Sequence, residues 1–309
     1  MIPYLLFYKI VQLFAFMLLG FLIVKLKLVK SEDAVVLSKI SIYILMPATI
    51  ISAYNVEVTE AISGGLILAF AAAFAIHLLL LLIDFIYKNT LRPSGAERAS
   101  AMYSNAGNII IPLVSFILGA EWIIYTTAFL SVQLLFLFTH GERLFSESKT
   151  VNIKKILLNP NILAIAAGLV MILFSIRLPA IVGEITDALG SMVGTVGMLI
   201  AGMAMAAVDF KKILKAKSLY ISSALRMIVC PLVVLGLVKG ILALPFIALE
   251  NAKSILLISY LAAITPAAAT VTQFSKLYGK GEDMAVSINA ITTLASIATM
   301  PIFVMLYQL

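Results

Sequence analysis

The sequence predicts an all-α polytopic membrane protein: ten transmembrane helices arranged as a five-plus-five inverted repeat, with helices 4 and 9 broken and crossing. Three observations predict it. The composition is too apolar for a water-facing surface. The apolar residues fall into ten segments of spanning length. The basic residues alternate from loop to loop as a multi-pass topology requires.

Of 309 residues, 62% are apolar and only 12% charged. Soluble domains run near about 45–50% apolar and about 25% charged. A larger core does not explain the excess, because a globule must still present polar surface to water. A lipid bilayer as partner does explain it. The formal net charge of +7 would suggest a nucleic-acid partner on a soluble protein. Here the basic residues sit in short gaps between apolar runs, so no nucleic acid is expected. The single cysteine, Cys230, excludes a disulfide framework or a Cys-based metal site. The first apolar run lacks a basic n-region and a small-residue cleavage site, and Lys25, Lys27 and Lys30 follow it. It is expected as a retained first helix.

The ten segments are 4–24, 34–54, 62–87, 96–118, 122–141, 157–176, 186–208, 218–243, 253–276 and 283–307. They are too long and too uniformly apolar for strands of a membrane barrel. Odd-numbered loops together carry sixteen Lys and Arg, and even-numbered loops three. The positive-inside rule then puts both termini outside a cell membrane. An added or missing helix would scramble this alternation.

Half the chain length suggests a repeat offset of 154 residues. That offset lays segments 1 to 3 over 6 to 8 and Pro112 over Pro266. The halves are then 1–150 and 151–309, and an odd number of helices per half inverts one against the other. In such transporters the site lies near the midplane, where broken helices meet. Segments 4 and 9 are the least apolar, holding Ser104-Asn105-Ala106-Gly107-Asn108 before Pro112, and Thr265-Pro266 before Thr270 and Gln273. Proline removes a helical donor and clashes with the carbonyl four residues back. The opened turn leaves N–H groups that attract anions. Asn105, Asn108, Pro112, Thr265, Pro266, Thr270 and Gln273 are therefore expected around one midplane cavity. Pro47, Pro231 and Pro301 read as packing kinks.

Charges within spans are costly and usually functional or paired. Asp84, Lys88 and Arg226 are the charge and gating candidates, on segments 3 and 8, which the repeat relates. Asp84 and Lys88 stand at i,i+4, so an intrahelical pair is expected. His77 reads as a packing residue ahead of a proton carrier. Lys9 and Lys39 lie near helix ends and can snorkel.

Several stretches resemble the auxin efflux carrier family, whose members include plant auxin carriers and bacterial proteins. They are Leu37-Ser38-Lys39 through Leu45-Met46-Pro47, and Asn105-Ala106-Gly107-Asn108-Ile109-Ile110-Ile111-Pro112. They continue with Leu158-Asn159-Pro160-Asn161 followed by Ala167-Gly168, and with Thr265-Pro266-Ala267-Ala268 followed by Lys276-Leu277-Tyr278-Gly279. All occur in the family's order, and the resemblance covers nearly the whole chain. Asn108 departs from the apolar residue often found there in bacterial relatives. The resemblance implies two broken helices crossing at their prolines, with a scaffold side and a transport side that move relative to each other. It implies alternating-access transport of a small organic anion, auxin-like or a carboxylate. Sodium or proton coupling is an alternative, as is a homodimer.

A membrane enzyme or a channel are the rival readings. The chain has no His-Glu-x-x-His, Gly-x-Ser-Gly or Gly-x-Gly-Asp motif and only two histidines, His77 and His140. No base, nucleophile and metal set for hydrolysis is visible. Ion filters usually need rings of subunits or repeated carbonyl motifs. No organic or metal cofactor is expected; sodium is the one ion left open.

Overall fold

The computed structural model describes residues 2–57, 59–146, 154, 157–207, 215–244 and 251–309. The described residues are helical and contain no strand beyond a single bridged pair. Lys149, Lys155, Lys211 and Lys212, which entered the loop-charge count, and residue 208 at the end of the seventh span lie outside them.

In chain order the helices are α1 (Ile2–Lys25), α2 (Ala34–Ile40), α3 (Met46–Tyr54), α4 (Glu60–Leu91), α5 (Gly95–Met102), α6 (Ala106–Ile117) and α7 (Ile123–Phe136). They continue as α8 (Pro160–Leu173), α9 (Ala180–Ser191), α10 (Val193–Ala206), α11 (Lys217–Ala224), α12 (Cys230–Leu242), α13 (Ala252–Ile264), α14 (Ala269–Leu277) and α15 (Glu282–Gln308). Among the described residues, seven helical stretches are long and apolar enough to cross a membrane. The shorter apolar helices α6 and α8 fall inside the fourth and sixth predicted spans, and α13 overlaps the ninth.

Local chemistry sets the boundaries. Thr59 caps α4 by accepting the Ile62 N–H at 3.2 Å. After α4 the chain turns through Arg92 in the left-handed region (φ 49°). It then enters α5 through a capping box, in which Ser94 and Glu97 serve each other's backbone N–H. Pro160 opens α8 at a position where its missing N–H costs nothing, and Asn159 caps it. Among the described residues, three one-turn π-helical stretches interrupt otherwise continuous helices: Ser41–Leu45 joins α2 to α3, Leu137–Gly141 continues α7, and Leu225–Val229 joins α11 to α12. Such turns often mark functional positions.

Helices from the two halves of the chain pack into two groups. In one, α1 runs along α10, and α3 packs on α8 and α9. The α1–α10 contact is backbone to backbone: Gly20 lies against the Leu199 carbonyl and Gly202 against the Met17 carbonyl, so a side chain at either would overlap the other helix. In the other group, α4 packs on α7 and α13, α13 on α12, and α15 on α5, α11 and α14. The seam between the groups is formed largely by α6 against α10 and by α1 against α6 and α15.

The loop regions sort by end. Gly95 lies against Leu144 and Gly281 against Ala96, so the chain around 95, 144 and 281 meets at one end. Tyr278 donates to the Glu142 carboxylate at that end. Burial and that neighbouring charge push the Tyr278 phenol up to about 12, so it stays a donor. Elsewhere, Asn55 accepts the Leu178 N–H at 3.0 Å, tying the chain around 55 to that around 178.

Candidate functional site at the crossing of the broken helices

The break in the fourth predicted span lies at Tyr103-Ser104-Asn105, between α5 and α6. It is not at Pro112, which sits well inside α6. The break in the ninth is at Thr265 to Ala268, as its proline predicts. Here the two segments run antiparallel and bridge Ser104 to Ala267. Asn105 N–H donates to the Pro266 carbonyl at 2.8 Å, and Ala268 N–H donates to the Tyr103 carbonyl at 2.9 Å. Ser104 thus faces Ala267, whereas Pro112, which the 154-residue offset laid over Pro266, is not at the break.

A two-residue bridge leaves the outward-facing groups of Ser104 and Ala267 without sheet neighbours. Side chains take those places. The Gln133 amide accepts from the Ser104 N–H at 3.2 Å and donates to its carbonyl at 2.9 Å. On the other flank Ala267 N–H donates to Thr292 Oγ1 at 3.1 Å, and Asn289 Nδ2 donates to the Ala267 carbonyl at 2.5 Å. Buried backbone polar groups must be paired in an apolar setting, and this arrangement pairs them on both flanks.

Arg226 closes the remaining ends. It stands in the π-helical turn before α12 and is fully buried. Its guanidinium donates to Ala263 O (2.5 Å) and Thr265 O (2.7 Å) at the end of α13. It also donates to Met102 O (3.1 Å) and Ala101 O (3.4 Å) at the end of α5. Both half-helices thus end on one cation, where orphan carbonyls and the negative dipole end favour it. Arg226, a charge and gating candidate from the sequence, is thus held by backbone carbonyls.

The starts of the other half-helices, α6 and α14, face a cavity of about 60 Å³. Asn105, Asn108, Thr270 and Gln273 line it, with Ser38 and Ser41 from the α2 side and Ile200 from α10. Among the described residues, no charged side chain lines it. Among the described residues, the backbone N–H groups of Ala106, Gly107, Asn108, Ala269 and Thr270 have no hydrogen-bond partner. Asn105 Oδ1 does not cap α6; it accepts from Asn108 Nδ2 at 3.0 Å. Of the seven predicted site residues, Asn105, Asn108, Thr270 and Gln273 therefore share one cavity. Pro266 accepts a bridge hydrogen bond behind it, and the fully buried Thr265 gives its carbonyl to Arg226. Pro112 lines a different cavity of about 780 Å³.

A profile of the membrane transport protein family matches residues 5–304. The chain belongs to that family. The family includes the auxin efflux carriers, so the protein is a membrane transporter. No curated protein matches it.

Three cavities lie along the transporter's seam. The largest, about 780 Å³, reaches from Pro112 to Ser52, Glu121 and Asp187. It holds the carboxylates of Glu121 and Asp187 together with Lys9. Toward the other end a cavity of about 210 Å³ shares Ser38, Ile200, Ala269 and Gln273 with the crossover cavity. Between this largest cavity and the crossover, α6 rests directly on α10. A Cβ at Gly194 would stand 2.6 Å from Pro112 Cγ, and one at Gly197 2.8 Å from Asn108 Cγ.

The predicted Asp84–Lys88 pair does not form: Lys88 is exposed and Asp84 is 2% exposed. Arg98 of α5 takes the carboxylate bidentately, Nε at 2.9 Å and Nη2 at 2.5 Å. The turn at Arg92 folds α5 back beside α4, and a planar guanidinium matches both oxygens where an ammonium one turn along the helix would meet one. His140 Nε2 stands 3.3 Å from the same carboxylate, and its Nδ1 lies 2.9 Å from Tyr103 Oη. Gln133, Asn289, Thr292, Arg98 and His140 were not singled out as site residues from the sequence. His77 packs between Phe129 and Phe136, with Nδ1 2.7 Å from the Ala73 carbonyl, in keeping with a packing role.

Proposed function

We propose that this transporter carries a small organic anion by alternating access and binds it at the crossover, between the starts of α6 and α14. One observation carries the reading: two helix N-termini with five unpaired N–H groups converge on one uncharged cavity. Such ends hold negative charge through their N–H groups and the local dipole. The side chains of Asn105, Asn108, Thr270 and Gln273 supply donors around it. A carboxylate in that cavity would be met by donors and by no opposing side-chain charge.

The cavity's size and place support alternating access. About 60 Å³ holds a few water-sized groups. A larger solute therefore needs the two helix groups to separate along their seam, where vestibules lie on either side. The matching support of the two breaks, Gln133 on one flank and Asn289 with Thr292 on the other, favours ten spans in a five-plus-five inverted repeat. On this reading the basic loops face the cytoplasm and both termini lie outside the cell membrane. Cysteine labelling at Lys154 and at Glu57 is expected to occur from opposite sides; the buried native Cys230 stays silent. Labelling of both from one side would overturn the topology.

The function is tested by transport current in proteoliposomes across a panel of small organic anions, including indole-3-acetate and malonate, with and without sodium. A saturable current for some anions and not for matched neutral compounds is expected. Full current without sodium selects uniport or proton linkage over sodium coupling. No anion current anywhere in the panel, with neutral or cationic solutes carried instead, would overturn the anion reading.

A further inference from the structure

We propose that Asn289 is a specificity-determining residue. With the carboxylates that share its cavity, it selects anions whose far end donates a hydrogen bond over anions that end in a second carboxylate. The proposal rests on the reading that one carboxylate of the solute sits at the starts of α6 and α14. It adds which solute fits beyond that end.

The crossover cavity of about 60 Å³ and the cavity of about 210 Å³ beside it adjoin, because Ser38, Ile200, Ala269 and Gln273 line both. The smaller one holds only a few water-sized groups. A solute anchored there by its carboxylate extends past Ile200 and Gln273 into the larger one. One wall of that second compartment is the apolar face of α10: Ile200, Ala201, Ala204 and Met205. It takes a carbon chain and offers no partner to a polar group.

The polar groups of the second compartment differ in kind from those at the helix starts. Asn289 of α15 lines it and is only 7% exposed. Its Nδ2 donates to the Ala267 carbonyl, which fixes the amide's orientation, because a carbonyl takes a hydrogen bond from the nitrogen alone. Oδ1 is left as an acceptor, and among the described residues no group donates to it. A buried acceptor without a donor is costly, so this oxygen calls for a donor from the solute. The exposed side chains of Glu32, Glu282 and Asp283 line the same cavity. Among the described residues, no Lys or Arg does.

The two compartments therefore have opposite preferences. The helix starts present donors, and the second compartment presents an acceptor and negative charge. A methyl end packs on α10 and leaves Asn289 Oδ1 unpaired. A hydroxyl or N–H end donates to it. A second carboxylate turns more acceptors toward an acceptor and meets like charge, so it is disfavoured on both counts. The repulsion acts through exposed groups and is strongest at low salt.

The test is isothermal titration of the purified full-length protein at low salt with three acids of matched length: butyrate, 4-hydroxybutyrate and succinate. A longer trio, hexanoate, 6-hydroxyhexanoate and adipate, covers a deeper reach. In at least one trio the hydroxy acid is expected to bind roughly two- to tenfold tighter than the plain acid, the effect of one hydrogen bond. The dicarboxylate is expected to bind weakest. Asn105→Ala should weaken all members of a trio alike, because they share the anchored carboxylate. Asn289→Ala should erase the advantage of the hydroxy acid over the plain one. Glu32→Gln combined with Asp283→Asn, both at exposed positions, should narrow the gap between dicarboxylate and plain acid. A dicarboxylate that binds as tightly as the hydroxy acid in both trios would overturn the proposal and leave anion binding at the crossover standing. So would a hydroxy-acid advantage that survives Asn289→Ala, or a gap that the double variant leaves unchanged. Failure of every probe to bind would overturn the anion reading, and this one with it. Asn289 also holds Ala267, so where its variant does not fold, the wild-type ranking and the double variant decide.

Discussion

Arg226→Ala is expected to give a protein that barely accumulates in folded form, losing at least about 3 kcal/mol of stability. The guanidinium is the shared terminus of α5 and α13 and serves four buried carbonyls, those of Ala101, Met102, Ala263 and Thr265. A buried polar group left without its partner costs about 1–3 kcal/mol, and here several are orphaned together in a region that lipid, not water, surrounds. Arg226→Lys keeps the charge, but one compact ammonium cannot reach both helix ends, so an intermediate loss is expected. Heating followed by size-exclusion chromatography in detergent measures both. An Arg226→Ala protein that withstands the same temperature as the wild type would show that the carbonyls find other partners.

A single methyl group at Gly202 is expected to be nearly as harmful, and the same change at Gly236 harmless. The Cβ of Gly202→Ala would overlap the Met17 carbonyl oxygen and stand 2.7 Å from the Phe21 nitrogen. Both are backbone atoms of α1 and cannot rotate away, so α1 and α10 must separate. Overpacking of this kind costs about 1–3 kcal/mol or more. Gly236 on α12 has no atom within 4 Å of its would-be Cβ. There alanine relieves the cost of a mid-helix glycine, about 0.5–1 kcal/mol. The pair is measured in the same thermal assay. Equal behaviour of the two variants would mean that α1 and α10 do not pack as described.

The helical character and the chemistry near both breaks were legible in the sequence because apolar run length and proline are local signals. The position of the first break was not. Pro112 advertised a kink, but in α6 it is accommodated within the helix. The actual break, at Ser104-Asn105, is stabilised by Pro266, Gln133 and Arg226, all distant in the chain. The Asp84 partner failed for a related reason. An i,i+4 spacing finds neighbours on one helix, whereas Arg98 arrives from the next helix after a turn. Arg226 was recognisable as a costly buried charge, yet its partners are carbonyl groups, which every residue carries and no pattern reveals. Gln133 and Asn289 were a missed opportunity: polar amides within apolar spans of both halves are a readable sign of backbone in need of partners.

The claim that the crossover holds the anion is tested most directly by the dissociation constant of a transported anion, measured on purified wild-type protein and on Asn105→Ala, Thr270→Val and Lys9→Met. Loss of one hydrogen bond at the site is worth about 0.5–1.5 kcal/mol, so the first two variants are expected to bind roughly two- to tenfold more weakly. Lys9→Met, in the vestibule, is expected to match the wild type. Unchanged affinity in both crossover variants, with binding lost in Lys9→Met, would place the anion in the vestibule and contradict the account.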